Sequence, residues 1–156
     1  MSVRSRVQAM LAAQVQGVLA TTHANGAPAT ALMAFAAAAD SSVVYLATPV
    51  AARKAVNMLE RPAVSLLWDN RTGNLADHGE GCLVTAGGTA ALVDGGDDAG
   101  GVARALFGAK NPNMSGFLSQ RGVGIFAVTV DEYELVVGYE RPQFWAPGCP
   151  GDDTSS

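Results

Sequence analysis

An arginine and a lysine stand side by side at Arg53-Lys54, shortly after Tyr45-Leu46-Ala47-Thr48, which reads as the end of a strand. Thr48 is placed to cap a helix over Val50 to Glu60, with Pro49 at its first turn. The two cations then fall in the first turn or so of that helix. Backbone N–H groups there lack intrahelical partners, and the dipole favours negative charge. Cations belong at the opposite end, so the placement conflicts with the dipole unless an anion lies between them. A phosphate reconciles it, taking paired contacts from the arginine and point charge from the lysine. Adjacent charges are equally common as solvated surface, and these residues alone leave both readings open.

Other residue types bear on chemistry more weakly. Asn70 and Arg71 follow Leu66-Leu67-Trp68-Asp69; Arg71 is either a third phosphate contact or the partner of Asp69 in a loop ion pair. His23 and His78 are the only histidines. Either could ligate iron or shuttle a proton, although a solvated loop histidine is the plainer expectation. Trp68, Phe144 and Trp145 are large enough to stack on a flat ring. Trp68 reads as core, whereas Trp145 could cover a ring from a neighbouring subunit. Cys82 lies in an apolar strand, most simply as a small core residue. With Cys149 it makes no disulfide framework, and cysteines and histidines at zinc-ligand spacing are absent. No Ser-His-Asp or paired-carboxylate constellation has supporting context, so hydrolase chemistry finds no positive sign.

The elements that must hold these groups follow from periodicity. Val3, Val7, Met10 and Leu11 predict a helix over about Ser2 to Gln14. Val18 to Thr22 and Ala29 to about Ala37 read as strands joined at Asn25-Gly26, a strong hairpin signal. Val43 to Ala47 is a third strand, and Ala63 to Trp68 a buried fourth. Asn70 to Gly81 reads as loop and Cys82 to Val93 as a strand, with Gly87-Gly88 suggesting a bulge. After a turn-rich connector from Asp94 to Gly101 come one or two short helices, divided at Asn111-Pro112. A long strand or bent hairpin over Val123 to Tyr139 completes the set. The expected fold is α+β, mainly β: a six-stranded antiparallel split β-barrel with flanking helices. No βαβ alternation and no G-x-G-x-x-G run through the chain, which disfavours a Rossmann fold.

Composition fits a single domain over residues 1–146, with a disordered tail over 147–156. Of 156 residues, 49% are apolar and 15% charged, and the net charge of −4 comes without a basic stripe, which argues against nucleic acid. The longest apolar stretch, Ala31 to Ala39, falls far short of the ~20 residues a bilayer span requires. Arg4 and Arg6 ahead of Met10 to Ala13 weakly suggest a secretory leader, but Gln8, Gln14 and Gln16 interrupt it, so a cytoplasmic setting is expected.

The order of these pieces resembles the FMN-binding split-barrel family typified by pyridoxamine 5'-phosphate oxidase. The resemblance runs from about Val18 to Val93. It comprises a hairpin with Gly26-Ala27-Pro28, a strand ending in Thr48, an Ala52-Arg53-Lys54 turn into a helix, and Arg61-Pro62 before Val64-Ser65-Leu66-Leu67. It implies that Arg53 and Lys54 hold the FMN phosphate and that Ala47 and Thr48 line the site. The isoalloxazine ring would lie along Thr30, Ala31, Leu32 and Met33, largely on backbone groups. Asn70, Arg71, Cys82 and Trp145 join the implied cofactor site, and a homodimer completes the pocket across the subunit interface.

Departures narrow the activity. Ala52 replaces the family's turn serine, and Ala31 stands where the pyridoxamine phosphate oxidases carry an arginine. Their basic substrate motif near the C-terminus is replaced by Glu140-Arg141-Pro142-Gln143-Phe144-Trp145. Vitamin B6 oxidation is therefore not expected. The expectation is an FMN-dependent oxidoreductase acting on a small molecule. The alternatives are the deazaflavin F420, haem binding or degradation, and a non-catalytic flavin store or electron carrier.

Overall fold

The computed structural model describes residues 1–96 and 101–149. The opening helix α1 (Val3–Ala13) is capped by Ser2, whose hydroxyl accepts the Ser5 N–H, and it buries Val7, Met10 and Leu11. Strands β1 (Gln16–Thr22) and β2 (Pro28–Ala37) form the expected hairpin. Gly26 takes φ +83°, and the Asn25 side chain accepts the Ala27 N–H at 3.0 Å. The chain continues through β3 (Val43–Pro49), helix α2 (Arg53–Glu60), β4 (Ala63–Asp69), the single turn α3 (Asp77–Glu80) and β5 (Cys82–Asp94). Helix α4 (Val102–Lys110), a 3₁₀ turn over Pro112–Met114, α5 (Ser115–Leu118), β6 (Val123–Val137) and β7 (Gln143–Trp145) complete it.

All strand pairs are antiparallel, in the order β3-β2-β1-β4-β5-β6-β7, and β6 also pairs with β3. That second pairing closes the first six strands into a barrel, leaving β7 appended to β6. The split barrel expected from the sequence is therefore the fold. Its interior holds Phe35, Trp68 and Tyr133, each no more than 1% exposed. Their rings form a chain that ends on Trp145, stacked 5.4 Å from Tyr133. The Tyr133 hydroxyl donates to the Ser41 carbonyl at 2.6 Å, as a buried phenol requires. A second apolar cluster seats Phe107 of α4 against Ala36, Ala47, Val123 and Ile125.

Four local expectations are corrected. The second helix begins at Arg53 rather than Val50, because Thr48 and Pro49 remain extended and pair with Gly124 and Val123 of β6. Thr48 is consequently no helix cap; Ala52 holds that position and offers no side-chain oxygen. The Asn70–Gly81 loop contains α3, since the Asp77 carboxylate accepts the N–H groups of Thr72, Gly73 and Asn74 and so winds the segment up. Finally, β6 is one strand ending at Val137, and the separate β7 places Trp145 in the core. The bulge expected at Gly87-Gly88 is present as a register shift against β6. Residues 97–100 of the expected connector and 150–156 of the expected tail lie outside the described residues.

One divergence in the sheet positions everything that follows. Strand β2 bonds β1 from Pro28 to Ala34, but it bonds β3 only through Phe35, Ala36 and Ala37. Beyond Leu46, β3 turns away to pair with β6. The Pro28–Ala34 half of β2 is thereby left with a strand on one side only. Helix α2, fed by the departing β3, comes back to pack on β1 and β5.

Candidate functional site

Where β2 and β3 part, a cleft of about 430 Å³ opens. Its floor is Leu19, Thr21 and His23 of β1 and the following turn. One wall is Ala29, Thr30 and Ala31 of β2; the other is Ala52, Arg53, Lys54 and Asn57 of α2. The β2 wall presents its unpaired edge, where backbone N–H and C=O groups can bond a ligand. The α2 wall presents the start of a helix. Arg53 and Lys54 are its first two residues, no acidic residue accompanies them in the first turn, and Ala52 leaves the first N–H groups without a side-chain cap. The conflict between cation and dipole is thus sharper than a helix from Val50 would make it. An anion bound there answers both.

Asn57 pins this wall to β1. It is 4% exposed, and its amide nitrogen lies 3.0 Å from the Thr21 hydroxyl and 3.0 Å from Nδ1 of His23. Arg61, at the end of α2, donates to the Thr22 carbonyl at 2.7 Å and to the Asn57 amide oxygen at 3.4 Å. The α2 wall is therefore braced to the floor of the cleft by these side-chain hydrogen bonds.

Of the residues expected at a cofactor, Thr30, Ala31, Arg53 and Lys54 come together at this cleft. Leu32 is adjacent on β2 and 64% exposed, but on the outer face of the barrel. Met33 and Ala47 turn into the two cores, and Thr48 is fully buried with its hydroxyl directed at the Pro49 carbonyl. Asn70 and Arg71 sit at the other side of the barrel. Asn70 accepts the Cys82 N–H at 2.7 Å, closing the base of its loop. Arg71 pairs with Asp69 at 3.2 Å, and with Asp77 and His78 it lines a separate cavity of about 500 Å³. Cys82 packs on the barrel core, and burial pushes its thiol up, away from thiolate character. Trp145 belongs to the aromatic stack, with Arg4 over its ring at 5.9 Å.

Sequence reasoning passed over Leu19, Thr21, Ala29 and Asn57 as lining residues. Asn57 had a usable signal: it follows Arg53 by four positions and Lys54 by three, hence shares their helix face. Thr21 had none, because its place depends on how α2 docks. His23 was singled out only as one of two histidines, and its turn turns out to border the cleft.

The sequence profile of the pyridoxamine 5'-phosphate oxidase family matches residues 3–135. The chain belongs to this split-barrel family. No curated protein matches it by sequence. Among solved structures it is similar to a heme binding protein from Mycobacterium smegmatis, with 18% identity and a TM-score of 0.80, over 94% of this chain and 59% of that one. It therefore spans about six-tenths of that protein's length. HutZ, the heme storage protein from Vibrio cholerae, gives 18% identity and 0.68 over 88% and 95% of the two chains. General Stress Protein 26 from Bacillus anthracis gives 18% and 0.67 over 94% and 99%. At such identities the likeness is one of fold. No helix among the described residues is long and apolar enough to cross a membrane, and none of their His, Cys, Asp and Glu side chains gather as a metal site.

Proposed function

We propose that the cleft between β2 and α2 binds FMN and that the protein is a flavin-dependent oxidoreductase or flavin-linked electron carrier working as a homodimer. The observation that carries this reading is the pairing of Arg53 and Lys54 at an uncapped helix start with an unpaired strand edge across the same cleft. The first suits a phosphate and the second suits the row of polar atoms on an isoalloxazine edge. Bound flavin supplies hydride and single-electron chemistry, while the protein orients it and tunes its electronics. Arg53 and Lys54 would anchor the phosphate, and the backbone of Thr30 and Ala31 would face the ring.

A second copy of the chain fits the outer face next to the cleft. Leu32, Val18, Leu67 and Thr85 form one cross-strand row, and Thr30, Ala20, Ser65 and Gly87 the next. Along β2, β1, β4 and β5 the only charged residues are Asp69 and Asp94, each the last of its strand. A charge-free face of this breadth favours a protein partner.

Haem is the second reading. Two of the similar structures are named as heme proteins, and His23 borders the cleft. The absorption spectrum of the purified protein, with mass identification of any released molecule, separates the readings. Paired near-ultraviolet and blue bands with FMN released support the first. A Soret band selects haem, and a single deazaflavin band selects F420. A colourless protein that takes up none of the three when supplied removes the cofactor site.

A further inference from the structure

The hydrogen bonds behind the cleft have a fixed polarity, and it ends on His23. Arginine has donors only, so Arg61 Nη2, 3.4 Å from Asn57, meets the amide oxygen. The amide nitrogen must then be the atom facing His23, at 3.0 Å from Nδ1. An amide nitrogen only donates, so Nδ1 accepts and holds a lone pair there. The neutral ring consequently carries its proton on Nε2. Thr21 does not disturb this, because its hydroxyl can accept the second amide hydrogen at 3.0 Å.

Nε2 lies across the ring from that bond. It is not among the buried side-chain nitrogens and oxygens left without a partner, of which Trp68 Nε1 is the one found among the described residues. With Nδ1 committed and the ring half-buried at the edge of the cleft, Nε2 is the nitrogen open to a ligand.

We propose that His23 acts at this cleft as a hydrogen-bond donor, presenting Nε2–H to an anionic or carbonyl oxygen of the bound ligand, and does not ligate a metal. This rests on the cleft being the ligand site but not on the ligand being FMN. A metal would require the Nε2 lone pair, and so a proton on Nδ1, which the Asn57 amide opposes. The chain Arg61–Asn57–His23 thus selects oxygen acceptors over iron.

Long-range proton–nitrogen correlation spectra of the full-length protein test the tautomer, at mildly alkaline pH and before any ligand is added. The expected result is an unprotonated Nδ1 and a protonated Nε2 for His23; the reverse pattern overturns the proposal. Binding then tests the donor, with FMN as probe and quenching of its fluorescence as readout. His23→Leu should weaken binding roughly tenfold or more, the range for losing a hydrogen bond to a charged or strongly polar acceptor. His23→Gln, whose Nε2 can stand in for the ring N–H, should stay within about threefold of the parent. Equal affinity for His23→Leu and the parent overturns the donor role. Should the parent fail to bind FMN, the flavin reading falls and titration with ferric haem decides instead: a haem spectrum unchanged by His23→Leu supports the proposal, and loss of a histidine-ligated spectrum overturns it.

Discussion

At the scale of single residues, the site depends on charge placed against the ordinary preference of a helix. Arg53 and Lys54 open α2 with no neighbouring carboxylate, so each removes part of an anion site and little of the fold. Arg53→Ala is expected to weaken FMN binding roughly 10- to 100-fold, since charge-assisted hydrogen bonds contribute about 1.5–3 kcal/mol. The thermal midpoint should move little, which calorimetry on the same variant checks. Asn57→Asp reverses a polarity. A carboxylate accepts from His23, moves the ring proton to Nδ1 and frees Nε2 as a metal ligand. Ferric haem added to this variant should show a histidine-ligated spectrum that the parent lacks and that Asn57→Asp with His23→Leu loses.

At the scale of elements, the sequence already displayed the strands, the Asn25-Gly26 hairpin and the bulge at Gly87-Gly88, because each is encoded by local chemistry: alternation, positive φ, a missing side chain. The start of α2 was not legible. Pro49 suits both a first helical turn and an edge of strand, and only its pairing with Val123 across the barrel decides. The place of Trp145 was not legible either: β7 is three residues long, too short to show alternation, and it exists through its antiparallel pairing with Tyr133, Glu134 and Leu135 of the preceding strand. The Arg53-Lys54 half of the candidate site could be read from sequence because helix polarity is local, and Asn57 shares their helix face; its pairing with His23 could not, because that needs α2 docked on β1. Two element junctions yield predictions. A Cβ on Gly88 would run into the Thr129 backbone carbonyl of β6, so Gly88→Ala should cost about 1–3 kcal/mol in urea unfolding. Asp94 closes β5 onto α4 through Arg104, at 2.7 Å and 3.1 Å, with the carboxylate 4% exposed. Hydrogen bonds from Arg104 hold its pKa below 3.8, opposed by burial. A carboxyl lowered on folding stabilises above its unfolded pKa and ceases to do so as pH falls through the folded one. Stability should therefore decline below about pH 4 in part through this pair. Asp94→Asn should be less stable at neutral pH by roughly 2 kcal/mol or more and show a shallower acid limb in pH-dependent unfolding.

At the scale of the whole molecule, the barrel presents an uncharged outer face beside the cleft, and Leu32 stands at its edge, 64% exposed. If a second copy covers it, Leu32→Lys puts a charge into the contact. Sedimentation should then show a dimer for the parent and a monomer for the variant, and FMN affinity should fall in parallel under the proposal that the partner completes the pocket. The half-open strand β2 has a consequence of another kind. From Pro28 to Ala34 it offers a row of unbonded peptide groups with no charge and no bulge to deter a stray chain, and Pro28 alone lacks an N–H to offer. Such an edge recruits extended polypeptide as readily as it recruits a cofactor. An occupant of the cleft is then also a guard against aggregation, and protein stripped of it should cloud on storage sooner than protein kept loaded.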